Sequence, residues 1–174
     1  MLVSRLLCRS LGRINRDISV EFIHWNRIAD ALLRNQLEAA GVVLIQGPKW
    51  CGKTTTAKKH AKSVLYMDDP RMRKDSIILS ESAPWLLFQG ATPRLIDEWQ
   101  LAPKLWDAAR FEVSQRGLPG QLIFTGSAVP PNTAEITHSG TGRFAWLTMR
   151  PMSLWESQDL HCYGCVGGRP RRVA

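Results

Sequence analysis

The sequence predicts an α/β three-layer sandwich built on a mainly parallel sheet. Short β-branched apolar runs, Val42–Ile45 above all, suit strands buried on both faces. These runs alternate with segments whose apolar residues recur at helical spacing, such as Leu105, Ala109 and Val113. Glycines and an Asp-Asp-Pro turn punctuate the alternation. Strands alternating with helices imply a parallel sheet covered on both faces. The chain has 174 residues, 44% hydrophobic and 22% charged. That is one domain of ordinary size, able to bury a core without disulfides or metals.

The elements follow in order. Arg27 to Ala40 reads as a helix, because Ile28 and Leu32, then Ala29, Leu33 and Leu37, fall on adjacent lines of one face. Asn26 is its expected cap, and Gly41 its expected stop in a positive-φ conformation. Val42 to Ile45 is a strand, and a second helix runs from Lys53 to about Ala61. Ser63 to Met67 is a second strand, closed by Asp68-Asp69-Pro70. Pro84 to Gln89 is a short helix ended by Gly90. Arg94 to Asp97 is a third strand. Lys104 to Arg116 is a helix stopped by Gly117. Gln121 to Thr125 and Phe144 to Met149 are the last two strands. Ser153 and Glu156 have capping-box spacing, which starts a final helix.

The ends differ from the middle. Residues 1–25 read as a basic extension, with four arginines against two acids. Arg5 and Arg9 break the apolar run that a secretory signal needs. Residues 158–174 show no apolar period and are expected to be a disordered tail, leaving 26–157 as the core. The net charge is +8, and half of it sits on these two ends. Lys58, Lys59 and Lys62 form the one central basic cluster, and a solvated helix face accounts for them, so charge alone does not support nucleic-acid binding. No stretch approaches the roughly 20 apolar residues that span a bilayer. Cys162 and Cys165 form a lone C-x-x-C without the further ligands that a zinc site needs.

The chemistry concentrates in Gly47-Pro48-Lys49-Trp50-Cys51-Gly52-Lys53-Thr54, which fits G-x-x-x-x-G-K-[ST]. Gly47 and Gly52 allow backbone angles that aim successive N–H groups inward, and the helix start adds its dipole. Lys53 brings positive charge to the β- and γ-phosphates, and Thr54 offers a hydroxyl to Mg²⁺. Thr55 completes the candidate nucleotide-binding set. The motif follows a predicted strand and opens a predicted helix, the context it requires. Trp50 either shields the phosphates or packs on the surface. Cys51 lies near a helix start, a setting that can lower a thiol pKa.

A phosphate loop needs an acid at a strand end to hold Mg²⁺, and Asp97 stands there. Glu98, next to it, can orient the attacking water and draw off its proton. Thr125 and Ser127, at the tip of another strand, can touch the γ-phosphate or the water, or simply form a turn.

Gly47 to Thr56, Arg94 to Gln100, Phe124 to Ala128, His138 to Arg143 and Met149 to Leu154 occur in that order. Together they resemble the prokaryotic AAA-type ATP-binding proteins that carry a C-terminal domain of unknown function. The resemblance covers Arg27 to Ser157. It implies a P-loop fold of the AAA/ASCE type, with the Thr125 strand between the Asp97 strand and the P-loop strand. It also implies ATP, Mg²⁺ and a bacterial or archaeal cytoplasm. Arg143 matches the family's Gly-Arg position and is the candidate arginine finger. Family members are longer, so a truncated or frame-disrupted member with foreign ends is expected.

The resulting reading is an ATP-hydrolysing domain, with Lys53, Thr54, Asp97 and Glu98 carrying the chemistry and Thr125 and Arg143 assisting. One alternative is a remnant that binds nucleotide without turnover. Another is a small-molecule phosphotransferase, for which Arg71 and Arg73 are the sole hint of a lid. A second copy or another protein stays open as partner.

Overall fold

The computed structural model describes residues 27–126 and 142–157. The expected N-terminal extension, the Asn26 cap, Ser127, the C-terminal tail and the Cys162/Cys165 pair lie outside them. Five strands form one sheet: β1 Val42–Gln46, β2 Ser63–Tyr66, β3 Arg94–Asp97, β4 Leu122–Gly126 and β5 Phe144–Thr148. Their spatial order is β2-β3-β4-β1-β5, and every neighbouring pair is parallel. The strand ends therefore all face one edge of the sheet, where the loop after β1 and residues 97–98 after β3 emerge.

Alternation along the strands builds two cores. Val42, Leu44, Ile96, Leu122 and Phe124 point to one face, with Trp99, Leu105, Trp106, Ala109 and Val113. Val43, Ile45, Leu95, Ile123 and Leu147 point to the other, with Leu33, Leu37 and Ala57. The helices are α1 Ile28–Ala39, α2 Lys53–His60, α3 Arg73–Ser82, α4 Pro84–Leu87, α5 Leu105–Arg116 and α6 Leu154–Ser157. Helices α1 and α2 cover the second face, while α4 and α5 lie on the first. Aromatic stacking thickens that first face: the ring centroids of Trp106 and Phe144 lie 4.0 Å apart, and those of Trp99 and Phe124 5.7 Å.

Several elements depart from the sequence reading. In α1 only the Ala29–Leu33–Leu37 line turns inward; Ile28 and Leu32 are exposed. The helix opens after Arg27, whose backbone N–H donates to the Asp30 carboxylate at 2.9 Å. Helix α3 escapes a search for apolar period because its buried residues are Ser76 and Ser80, while Ile78 points to solvent. A 3-10 turn, Trp99–Leu101, follows directly on β3. The expected capping box at α6 is present: Ser153 Oγ accepts the Glu156 N–H, and the Glu156 carboxylate accepts the Ser153 N–H.

Gly41 is not the stop expected: α1 ends at Ala39, with extended Ala40 as its cap, and Gly41 is needed for another reason. It is not among the positive-φ residues; instead a Cβ there would lie 1.9 Å from Cγ1 of buried Val113. Close packing of α5 against the start of β1 excludes a side chain. Gly41→Ala should therefore cost about 1–3 kcal/mol of stability by overpacking. Combined with Val113→Ala, which removes the obstructing methyls, it should cost less than the two single losses together in denaturant unfolding. Additive losses would remove this explanation.

Candidate functional site

The loop 47–52 joins β1 to α2, and its sequence explains its shape. Gly52 adopts φ 97° immediately before α2, and Trp50 adopts φ 66°. A Cβ on Gly47 would meet the Met149 carbonyl oxygen at 2.2 Å, so the chain after β5 crowds the loop from outside. Pro48, Lys49, Trp50 and Thr55 are exposed. The Lys49 ammonium lies 5.6 Å from the Trp50 ring centroid, and Trp50 stays on the surface. Cys51 is fully buried, so its thiol does not face solvent.

Lys53 is buried, and its ammonium folds back into the loop. It donates to the carbonyls of Gly47 at 2.9 Å and Pro48 at 2.8 Å. Thr54, one residue into α2, donates through its hydroxyl to Asp97 Oδ1 at 3.0 Å. Thr125, fully buried on β4, donates to that same oxygen. Because β4 lies between β3 and β1 with Asp97 opposite Thr125, all three groups meet at the sheet edge. A hydroxyl and a carboxylate form a hard oxygen donor pair. Mg²⁺ needs no more from protein when phosphates and water fill its octahedron. The residues present thus fit such an ion.

Glu98 takes φ 54°, a left-handed conformation uncommon for a residue with a side chain. The turn Trp99–Leu101 starts there, and the side-chain amide of Gln100 donates to the Glu98 carboxylate. The other end of that amide, Gln100 Oε1, is buried without a hydrogen-bond partner. Backbone strain of this kind persists where the surroundings over-determine it, and it concentrates at functional sites. Gln100 was missed by sequence reasoning, although it lies two residues beyond Glu98.

Other expected groups are placed elsewhere. Arg143 is exposed, and its carbonyl accepts the Val42 N–H at the start of β1. The whole of β1 separates it from the loop, roughly 15 Å at about 3.3 Å per residue. The structure does not bring it to the loop of its own chain, which corrects the finger expectation for a single copy. Arg71 is paired in two places with Asp69. Of the lysine cluster, Lys59 bonds Asp30, Lys58 lies over the Tyr66 ring and Lys62 is exposed.

A second charged cluster lies behind the loop. Arg27 Nε donates to Glu156 Oε1 at 2.9 Å, with both side chains more than nine-tenths buried. Its other nitrogens donate to the carbonyls of Cys51 at 3.0 Å and Arg150 at 2.9 Å. Glu156 also accepts the N–H groups of Ile28 and Ser153 and the Ser153 hydroxyl.

The geometry is that of a P-loop site, and comparison with known proteins agrees. A family model described as an AAA domain matches residues 39–158. The chain belongs to the AAA domain family. An uncharacterized protein of Mycobacterium bovis, Mb2031c, and one of Mycobacterium tuberculosis, Rv2008c, are each 34% identical to it over 119 residues. That match covers 67% of this chain but only 26% of each relative. Membership of the AAA family identifies the loop as part of a nucleotide-binding domain. Among the described residues, no helix of this AAA domain is long and apolar enough to cross a membrane.

The Glu156 cluster links the stability of the AAA domain to pH. Burial by itself would raise the carboxyl pKa, but the Ser153 N–H, Arg27, the Ile28 N–H and the Ser153 hydroxyl outweigh it and hold it at about 2, below the ordinary 4.5. A depressed native pKa means that protons bind the unfolded chain first. The stabilisation is therefore complete above pH 4.5 and is lost as pH falls through about 2. Glu156→Gln should flatten the loss of stability across that window, followed by urea unfolding at stepped pH. Parallel curves for the two proteins would assign the acid sensitivity elsewhere.

Proposed function

We propose that this domain binds Mg-ATP and hydrolyses it to ADP and phosphate. The observation that carries the reading is the meeting of Lys53, Thr54, Asp97 and Thr125 at one sheet edge, with Glu98 next in the chain. The Lys53 ammonium now rests on two loop carbonyls, and the more charged oxygens of the β- and γ-phosphates would draw it off them. Amides of the loop and the start of α2 hold the phosphates. Thr54 and Asp97 would hold Mg²⁺, and the bound ion would supply positive charge against the phosphate oxygens. Glu98 accepts a proton as the water oxygen bonds to the γ-phosphorus, and the bond from that phosphorus to the bridging oxygen breaks, releasing ADP. Gln100 keeps the Glu98 carboxylate in place. Arg143 acts as a finger only on the nucleotide of a second copy, so a lone chain turns over slowly; such a finger is worth about 10³–10⁵ in rate. Use of Mg-ATP as substrate supports a cytoplasmic location. What the hydrolysis drives belongs to the longer proteins that it resembles.

The pairing of Arg71 with Asp69 disfavours a phosphotransferase lid. Turnover separates the ATPase from a binding module. Wild type should bind Mg-ATP and release ADP, while Lys53→Ala loses binding. Glu98→Gln should bind normally and turn over about 10²–10⁴ times more slowly. Wild type that binds without any ADP release, matching Glu98→Gln, would make the domain a nucleotide-binding module. A folded wild type that binds no nucleotide would overturn the proposal.

A further inference from the structure

The cluster behind the loop has no part in the chemistry above, yet it touches the loop directly. Arg27 spends its guanidinium on three acceptors that come from different parts of the chain: Glu156 in α6, the Cys51 carbonyl in the loop and the Arg150 carbonyl after β5. The Cys51 carbonyl belongs to the peptide whose N–H is that of Gly52. In a trans peptide these two groups point in opposite directions. Anchoring the carbonyl on Arg27 therefore turns the Gly52 N–H away from Arg27 and fixes the direction of one loop donor. Glu156 holds the guanidinium in register, and the Ser153 capping box holds Glu156. The chain after β5 is laced to the loop's other end as well, since the Met149 N–H donates to the Gln46 carbonyl at 2.8 Å.

We propose that Arg27 and Glu156 are positioning residues for the phosphate loop, through which the segment after β5 sets the loop's affinity for nucleotide. The inference rests on the nucleotide-binding reading. Arg27→Lys keeps the charge but cannot present a planar fork to three acceptors. Glu156→Gln turns an acceptor into a donor facing either the Ser153 or the Arg27 side.

The test is titration calorimetry with Mg-ADP on the full chain, well below each variant's melting temperature. Arg27→Lys and Glu156→Gln should each raise Kd about tenfold or more, the scale of one charge-assisted hydrogen bond. The double variant should be no weaker than the worse single, because either change releases the same carbonyl. Val113→Ala, which loosens the opposite core, should lower the melting temperature and leave Kd within about twofold, as a distant site does. Should Arg27→Lys fail to fold, Glu156→Gln carries the same test. If both clamp variants melt early but bind like wild type, while Lys53→Ala does not bind, the clamp is only structural and the proposal falls alone. If wild type itself binds no Mg-ADP, the nucleotide reading and the clamp fall together.

Discussion

Asp97 Oδ1 accepts hydrogen bonds from Thr54 and Thr125, and this shared acceptor ties three strand ends together. Thr54 arrives from β1 through the loop, Asp97 from β3 and Thr125 from β4. The contact exists only because β4 is inserted between the other two with Asp97 opposite Thr125. A parallel sheet of this order needs helical crossovers, and the crossovers need apolar faces on both sides of the sheet. The continuous apolar runs in the strands are thus the remote cause of a polar contact at their tips.

The loop is held from two sides by opposite means. In front, Lys53 satisfies two loop carbonyls with a charge that phosphate can reclaim. Behind, Arg27 and Glu156 form a buried ion pair whose remaining donors and acceptors are also engaged. Buried pairs are weak sources of stability and strong enforcers of geometry when one partner is removed, because the other charge is left stranded. In the proposed reading the front of the loop exchanges partners when phosphate binds, whereas the back keeps its own.

The fold was legible because its signals were local. Val42–Ile45 declared a doubly buried strand, Gly117 declared the end of α5, and Ser153 with Glu156 declared a cap. The loop and the Asp97-Glu98 pair stood out because the proposed chemistry would demand those residue types, and the sheet order brings Asp97 to Thr54. What was illegible was either polar or distant. Helix α3 buries serines, so periodicity gave no sign of it. Gly41 looked like a conformational stop, and only the packing of Val113 reveals its steric role. Arg143 sits in a recognisable motif, but which end of the sheet it occupies depends on the direction of β5. Arg27 and Glu156 stand 129 residues apart, and nothing local in either segment announces the other.

Gly47 carries a further implication. Its neighbour across the gap is the Met149 carbonyl, a backbone atom that a side chain cannot push aside cheaply. Glycine is thus required by the architecture of the domain as well as by phosphate. A descendant that had lost all use for nucleotide would still be under pressure to keep it. The first glycine of the motif thus serves the packing of the domain independently of any ligand.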